Sequence, residues 1–515
     1  MPATPLTLTP GHLTLRDLHD LWRDPAQPVA LDDGAWPQVD AAAETVARLV
    51  REGRTIYGVT TGFGKMARTR IAPEQVRQLQ RNLVLSHCAG VGKPLPARVV
   101  RLVLALKVAS LARGHSGVRR PTVAALLTFL HAGATPLIPE KGSVGASGDL
   151  APLAHLAATL LGEGEVILEG ERTPAREALD ALGLAPLELE AKEGLALLNG
   201  SQVSTALALD GLFQGLDGYA AALAAGAMTT DACLGTPAAF DPRIQALRGH
   251  PGQIAVGKVL TRLLAESEIR DSHLECERVQ DPYSLRCQPQ VMGAVLGQLL
   301  SAAKVLEREA NAVSDNPLVF PESGEILSGG NFHAEPVALA ADQIAIALSE
   351  VAALSERRIA LMMDASLSEL PAFLVAEPGL NSGFMIAQVT AAALASEIKH
   401  RAAPASTDSL PTSANQEDHV SMATYAARRL GESAEDLRGV IAVELLCAAQ
   451  GVDLRAPLQT GVALRPVHAA VRTRAAFLDQ DRQPAPDIAA VSDWIGAGSL
   501  LEETRLSEEL GIFNG

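Results

Sequence analysis

The sequence has few aromatic residues and a deficit of positive charge. Aromatic residues make up 3% of its 515 positions, and 59 acidic against 43 basic side chains give a formal net charge of -16 at pH 7. This charge repels nucleic-acid phosphates and anionic lipid headgroups, and no basic run along the chain offsets it. We therefore expect neither nucleic acid nor a membrane surface as a partner.

Cysteines and targeting signals are also scarce. The five cysteines are an odd number, lie far apart and form no C-x-x-C pair, so neither a disulfide framework nor a zinc knuckle is predicted. The chain begins without the positive segment and apolar stretch of a secretory signal, and no uncharged apolar run is long enough to span a bilayer. These absences predict a cytoplasmic location.

Apolar residues at helical spacing are abundant. Hydrophobic residues form 48% of the chain. Two apolar stripes have members three or four positions apart: Val295, Leu299, Ala302 and Leu306, and Ile344, Leu348, Val351 and Leu354. This period predicts a mostly all-α fold built on a long central helical bundle. We expect an N-terminal loop-and-helix region over residues 1–200, and the bundle with a C-terminal helical layer over residues 201–515.

Polar loops separate the helical stretches. The most polar are 314–317, 329–333 and 412–419. Loops held on a rigid frame often carry chemistry. His333 and His419 lie in two of these loops but belong to no H-E-x-x-H or comparable motif, so we expect them to fix loops by hydrogen bonds and predict no metal site.

The segment Gly145-Ala146-Ser147-Gly148-Asp149 admits three interpretations. A nucleophile elbow requires G-x-S-x-G, but here glycine follows the serine directly and no strand is predicted before it. A phosphate loop requires a lysine after its last glycine, and none follows. The third interpretation is backbone cyclisation, in which the nitrogen of Gly148 closes on the carbonyl carbon of Ala146 and Ser147 then loses water. Asp149 is the expected N-cap of a following helix with Pro152 in its first turn, ending near Gly162.

The longer string Gly142–His155, GSVGASGDLAPLAH, resembles the signature of the aromatic amino acid ammonia-lyase family. The resemblance extends to YGVTTGFG from Tyr57, LLNGSQ from Leu197, QDPYSLRCQPQ from Gln280, SDNPL from Ser314, GGNFH from Gly329 and TSANQEDHVSM from Thr412. It implies that Ala146, Ser147 and Gly148 form a 4-methylidene-imidazol-5-one by themselves, with no metal or external cofactor. It also implies a helical homotetramer whose active sites draw loops from more than one subunit.

The same resemblance assigns roles to individual residues. Tyr57 and Tyr283 would be catalytic, with Tyr57 removing the β-proton of the substrate. Arg286 would bind the substrate carboxylate through its two-pronged guanidinium. The remaining expected contacts with the substrate or prosthetic group come from Asn199, Gln280 and Phe332.

Substrate choice is predicted from a different pair of residues. Phenylalanine-specific relatives are usually apolar at the positions of Ser86 and His87, and tyrosine-specific relatives typically have histidine followed by leucine. Serine followed by histidine resembles the histidine-specific branch, in which His87 and Glu417 would bind the imidazole, with Met385 as a further pocket residue. The expected reaction is therefore conversion of L-histidine to trans-urocanate and ammonia, the first step of histidine degradation. Thr60 stands where many histidine-specific members carry asparagine, and YGVTTGFG is also similar to tyrosine-specific relatives.

Three alternatives remain at this point. The same machinery could serve tyrosine or phenylalanine, or an aminomutase that adds ammonia back. The chain could be a catalytically silent helical protein with a structural role. A fumarase-type lyase is also a helical tetramer, but its flexible-loop serine signature is not found in the sequence.

Overall fold

A computed structural model describes residues 4–62, 70–274, 279–498, 500 and 506–513. Helices dominate, as the apolar periodicity predicts. In chain order they are α1 (Leu15–Arg23), α2 (Trp36–Arg51), α3 (Val76–His87), α4 (Ala97–Leu111), α5 (Arg120–Ala132), α6 (Leu150–Leu160), α7 (Ala175–Ala181), α8 (Glu193–Leu198), α9 (Gln202–Ala232), α10 (Pro242–Arg248), α11 (Pro251–Leu263), α12 (Glu268–Asp271), α13 (Tyr283–Arg286), α14 (Gln288–Ala310), α15 (Glu335–Met363), α16 (Ala365–Ser368), α17 (Met385–Arg401), α18 (Ala423–Asp453), α19 (Arg465–Arg474) and α20 (Ala485–Gly496). One further short helix spans Leu506–Glu509.

The strands are short and peripheral to the helices. They are β1 (Leu6–Leu8), β2 (Val29–Leu31), β3 (Val91–Pro94), β4 (Thr135–Pro136), β5 (Pro139–Lys141), β6 (Glu165–Leu168), β7 (Glu171–Pro174), β8 (Leu318–Phe320) and β9 (Glu325–Leu327). In the described residues β1 pairs with β2 in parallel, while β3–β5, β4–β6–β7 and β8–β9 pair antiparallel. None of these small sheets forms a layer of its own.

The bundle is centred on α9, and the most extensive helix contact is between α9 and α18. Every residue of α9 is buried, because apolar and small side chains surround its whole circumference. Gly211 shows how close the two helices come: a β-carbon there would lie 2.3 Å from the β-carbon of Leu430 on α18. Only glycine permits this approach, so the helix axes can draw near and the apolar contact becomes continuous.

The two predicted apolar stripes are confirmed. Val295, Leu299, Ala302 and Leu306 of α14 are all buried, and so are Ile344, Leu348 and Val351 of α15; Leu354 is partly buried against the same core. Periodicity alone therefore placed the buried faces of these helices.

Helix α15 differs from one expectation. By length and composition it could cross a membrane, since one 18-residue window has a mean hydropathy of 1.7. Two-thirds of that window is buried inside the protein, where α15 packs against α18, α14, α17 and α9. Its apolar composition is that of a helix buried at the centre of a bundle.

The division of the chain into two regions near residue 200 stays a prediction.

Candidate active site

A cavity of about 900 Å³ lies beside the Ala146-Ser147-Gly148 segment. The cavity is bounded by α3, α6, α8 and the polar loops predicted to carry chemistry. Most of the predicted site residues line it: Tyr57, His87, Ala146, Ser147, Asn199, Phe332 and Glu417. Residues more than 350 positions apart in the sequence thus meet around one space.

The loop that precedes α6 is hydrogen-bonded to two long bundle helices, α15 and α18. The carbonyl oxygen of Gly145 accepts hydrogen bonds from the Ser421 hydroxyl at 2.8 Å and from the backbone N–H of Ala334 at 3.3 Å. The N–H of Met422 donates to the carbonyl of Val144 at 2.8 Å. These contacts fix the loop to the N-terminal ends of α15 and α18, so the reactive segment is part of a rigid frame.

Gly148 is in close contact with the Asn199-Gly200 turn. Its φ of +76° lies in the left-handed region, and a β-carbon there would lie 2.5 Å from the backbone nitrogen of Gly200. No other residue fits this position without moving the turn. The neighbouring Ala146 is 5% exposed, and Ser147 faces the cavity. Closure of the Gly148 nitrogen on Ala146 requires small residues and no side chain at position 148. Ser147, which is accessible, can then lose its hydroxyl. The segment therefore fits the implied prosthetic group.

Asp149 is the N-cap residue of α6, as predicted, but its side chain does not cap that helix. The fully buried carboxylate instead accepts hydrogen bonds from the hydroxyls of Ser143, Ser204 and Thr424 and from the N–H of Ser204. It therefore joins the loop to α9 and α18. The first turn of α6 keeps its N–H groups directed towards the preceding segment, where they contribute partial positive charge.

Glu417 is bonded to the residue expected to lose its hydroxyl. The Ser147 hydroxyl donates to Glu417 Oε1 at 2.5 Å, and the Thr412 hydroxyl donates to Oε2 at 2.5 Å. Burial alone would raise the pKa of Glu417, but hydrogen bonds from the hydroxyls of Ser147, Thr412 and Ser413 hold it below its ordinary value. The side chain is therefore a carboxylate at neutral pH.

His87 ends α3 and is held in one tautomer. Its Nδ1 lies 2.8 Å from the carbonyl oxygen of Leu83 and 3.1 Å from the Ser86 hydroxyl. Because a carbonyl oxygen can only accept, Nδ1 carries the proton and Nε2 is an acceptor in the neutral ring. Burial lowers the pKa of His87 more than the Leu83 carbonyl and Glu417 raise it, which keeps the ring neutral.

Tyr57 stands in a turn that is stabilised by threonine hydroxyls. The Thr60 hydroxyl accepts from the N–H of Ile56 and donates to the carbonyl of Arg54, both at 2.9 Å. Thr60 thus holds the turn and is not among the cavity-lining residues. The rest of the glycine-containing motif, residues 63–64, lies outside the described residues.

Asn199 places an unpaired oxygen at the cavity. It is the C-cap residue of α8 and is 5% exposed. Its Oδ1 has no hydrogen-bond partner among the described residues, although it is buried. A buried acceptor left in this state is costly unless a ligand supplies the donor, so this amide is suited to bind one.

Phe332 and His333 belong to the loop that starts at Gly329. Asn316 fixes this loop by accepting from the N–H of Gly329 at 2.7 Å. His333 Nε2 lies 3.1 Å from the carbonyl oxygen of His419, and the two imidazole rings stack at 5.8 Å. The expected loop-fixing contact of His333 is therefore present. Candidate ligand atoms of His333, Glu335 and His419 lie within 4.8 Å of one another, and the expectation of no metal stays a prediction.

Five predicted site residues do not line this cavity within the same chain: Gly148, which packs against the Asn199-Gly200 turn, and Gln280, Tyr283, Arg286 and Met385. Tyr283 begins α13 and is 70% exposed, with the Arg286 guanidinium 4.6 Å above its ring. Met385 begins α17. Their assignment to the site stays a prediction.

Other residues of the cavity wall were not singled out from the sequence. Asn316 and Ser328 line the wall, as do Leu83 and Leu195. The SDNPL motif gave a signal for Asn316, because it lies in a polar loop of the family signature. The leucines gave none, since a cavity-facing leucine has the same helical spacing as a core leucine.

The sequence profile described as "Aromatic amino acid lyase" matches residues 13–473. The histidine ammonia-lyase of Burkholderia cenocepacia (strain HI2424) is 59% identical over 491 residues, which cover 95% of this chain and 97% of that protein. The histidine ammonia-lyase of Aromatoleum aromaticum (strain DSM 19018 / LMG 30748 / EbN1) is 59% identical over 504 residues, covering 98% and 96%.

Solved structures show the same relationship over the whole fold. A histidine ammonia-lyase from Trypanosoma cruzi superposes with a TM-score of 0.91 at 39% identity, covering 99% of this chain and 98% of that one. A tyrosine aminomutase from Streptomyces globisporus superposes with a TM-score of 0.92 at 35% identity, covering 98% and 99%. Profile, sequence identity and fold agree over nearly the full length, and the chain belongs to the aromatic amino acid lyase family.

Proposed function

We propose that this protein is a carbon–nitrogen lyase that eliminates ammonia from L-histidine and releases trans-urocanate, the first step of histidine degradation. The observation that carries the proposal is the meeting of His87 and Glu417 with Ser147 in one cavity. The relatives named histidine ammonia-lyase support the same substrate. Both polar side chains would be poorly solvated against a phenyl ring, which favours a substrate with ring nitrogens.

The reaction needs an electrophile, because the β-hydrogen of an amino acid is barely acidic and its amine leaves poorly. A general base alone typically supplies ~10²–10⁴-fold. A 4-methylidene-imidazol-5-one formed from Ala146, Ser147 and Gly148 would supply a carbon electrophile for covalent attachment of the substrate. The N-terminus of α6 adds fixed positive charge behind this segment.

The chain's own side chains bind and orient the substrate. His87 Nε2 and the Glu417 carboxylate are both acceptors. Together they would bind the substrate ring as an imidazolium, which has two N–H groups and donates one to each. Asn199 Oδ1 accepts from the amine, and Phe332 packs against the substrate. Tyr57, on the cavity wall, removes the β-proton.

The remaining groups come from other subunits of a homotetramer in this proposal. Arg286 then binds the carboxylate, while Tyr283, Gln280 and Met385 complete the pocket. The high exposure of Tyr283 in a single chain supports this arrangement, because a catalytic tyrosine needs a partner surface to exclude water. We place the tetramer in the cytoplasm and propose no metal, external cofactor, nucleic acid or membrane partner.

The decisive experiment is a substrate panel. Purified protein is incubated separately with L-histidine, L-tyrosine and L-phenylalanine, and ammonia and the unsaturated product are measured. We expect turnover of L-histidine at least ~100-fold above the other two, since a polar group facing the wrong ring costs several kcal/mol. A preference for tyrosine or phenylalanine, or appearance of a β-amino acid, would replace the proposal with the corresponding lyase or aminomutase.

An intact-mass measurement separates an active lyase from a silent helical protein. The mature chain is expected to be lighter than the encoded sequence by two water molecules. A mass equal to that of the encoded chain would support the silent alternative.

A further inference from the structure

A group of buried charges lies beneath the Ala146-Ser147-Gly148 segment, away from the cavity lining. Lys107, Asp149, Lys192 and Asp315 are each at most 3% exposed. Burying an ionised side chain is costly unless a specific contact compensates it. The proposed reaction assigns no role to either lysine.

Lys107 and Lys192 differ in the partner of their ammonium groups. Lys192 Nζ donates to Asp315 Oδ2 at 2.6 Å, which is an ordinary buried ion pair. Lys107 lies near the C-terminal end of the apolar helix α4. It donates to the backbone carbonyl of Asn199 at 2.6 Å and reaches Gln202 Oε1 at 3.4 Å. Its shortest contact is therefore with a peptide group.

The peptide that Lys107 binds is the one that adjoins the reactive segment. Its oxygen belongs to Asn199, and its nitrogen belongs to Gly200, which lies 2.5 Å from the position of a β-carbon on Gly148. The Gly200 carbonyl accepts from the N–H of Asp149 at 2.8 Å. A cation on a peptide oxygen draws electron density from the whole group and makes the N–H at its other end a stronger donor.

We propose that Lys107 is a positioning residue for formation of the prosthetic group, and that its ammonium fixes and polarises the Asn199-Gly200 peptide against Gly148. A fixed turn holds the Gly148 nitrogen near the Ala146 carbonyl carbon and reduces the entropy lost on closure. This inference rests on the proposed function, because it concerns the same Ala146-Ser147-Gly148 chemistry.

Lys107 contributes no atom to that chemistry. The Gly148 nitrogen bonds to the Ala146 carbonyl carbon; the carbonyl oxygen leaves as water with the hydrogens of the Gly148 and Ser147 N–H groups. Ser147 then loses its α-hydrogen and its hydroxyl as a second water, and a carbon–carbon double bond forms. The overall change is loss of two water molecules, with no oxidant or reductant.

The charge of Lys107 changes near neutral pH. Burial lowers its pKa to about 7; Asp315 and Asp149 oppose that shift, and the like charge of Lys192 adds to it. Asp315 precedes β8, Lys192 precedes α8 and Asp149 precedes α6, so charges from three other elements face this group. The ammonium acts on the turn below pH 7, and the effect is lost as pH rises above it.

The test follows maturation by intact mass. Wild type and Lys107→Met are made by cell-free translation at pH 6 to 8, and the two water losses are timed. We expect Lys107→Met to mature ~10-fold more slowly at pH 6, as one hydrogen bond from a charged donor would account for. The ratio of wild-type to variant rates should approach one above pH 7.

Lys192→Met is the matched control, because it loses an equally buried ammonium that does not bind the turn. We expect it to mature at close to the wild-type rate, with the midpoint of its pH profile moved upward by removal of the like charge. Equal slowing in both variants, or no slowing in Lys107→Met, overturns the proposal. If Lys107→Met does not fold, an unmoved midpoint in Lys192→Met overturns it. A wild type that never loses water would refute the proposed function itself.

Discussion

The bundle and the cavity wall each hold a carboxylate, and the two differ in what binds them. Glu444 of α18 is fully buried. It accepts hydrogen bonds from Arg358 Nε at 2.5 Å, from Arg358 Nη2 at 2.8 Å and from the Thr229 hydroxyl at 2.9 Å. Glu417 is only half-buried and accepts hydrogen bonds from the hydroxyls of Ser147 and Thr412. A cation neutralises the first carboxylate inside the chain, whereas the second stays charged at the surface of a cavity.

The difference separates stability from chemistry. The charge on Glu444 is balanced by contacts that exist only in the folded bundle, so losing a partner leaves an uncompensated buried charge. The charge on Glu417 remains available to a substrate. Substitutions in the bundle should therefore lower stability, and substitutions on the cavity wall should lower activity at nearly unchanged stability.

The largest expected effect is that of Ser147→Ala. Without the hydroxyl the second water cannot leave, so the electrophile cannot form and release of ammonia from L-histidine should fall to the limit of detection. The free energy of unfolding should stay within ~1 kcal/mol of wild type, because Ser147 faces the cavity. Substantial residual turnover in a verified sample would contradict the proposed chemistry.

Arg358→Ala tests the other region. We expect it to lower the free energy of unfolding by ~3–5 kcal/mol, because it leaves Glu444 charged and buried. The double variant Arg358→Met/Glu444→Leu removes both charges and should be much closer to wild type. Chemical denaturation at one fixed protein concentration measures both. Equal losses in the single and double variants would mean that packing, and not charge, dominates at this position.

His19 should make the bundle sensitive to acid. It packs against Phe213 and Phe513 at ring distances of 5.1 and 4.9 Å, and burial, with help from Arg23 and Arg16, lowers its pKa from 6.5 to about 4. Since the unfolded chain binds the proton first, stability is lost as pH falls from 6.5 to 4, by ~3 kcal/mol in total. Unfolding of His19→Leu measured across this range should depend less on pH. An unchanged slope would show that other groups cause the acid sensitivity.

The smallest expected effect is that of Glu417→Gln on the cavity wall. We expect kcat/KM for L-histidine to fall ~10- to 100-fold, since a hydrogen bond to a charged group contributes ~1.5–3 kcal/mol. The denaturant midpoint should change little. Intact mass must first establish that the variant has matured, because Glu417 also contacts Ser147. A loss of stability comparable to that of Arg358→Ala would abolish the distinction between the two regions.

The helical bundle was largely predictable and the site was only partly so. The stripe of α14 is buried as its spacing predicts, because a helix converts sequence period directly into a face. The motif strings likewise identified Tyr57, Asn199 and Glu417, which the fold brings to one cavity. Lys107 escaped notice, since a lysine in an apolar helix gives no local sign of the peptide it binds.

Side-chain direction was the part that spacing could not supply. Asp149 was correctly placed at the start of α6, yet its carboxylate binds α9 and α18 in preference to its own helix. α15 met the length and apolarity of a membrane span because a helix buried among other helices needs the same composition. In both cases the partner lies far away in the sequence.

The sequence by itself determined the helical period, the small residues of the reactive segment and the family signature, because each is written in neighbouring positions. Only the tertiary structure decided which residues face Ser147, which tautomer His87 adopts and which buried charge touches the Asn199-Gly200 turn. These depend on distances between segments, and such distances are set by the packing of the whole bundle.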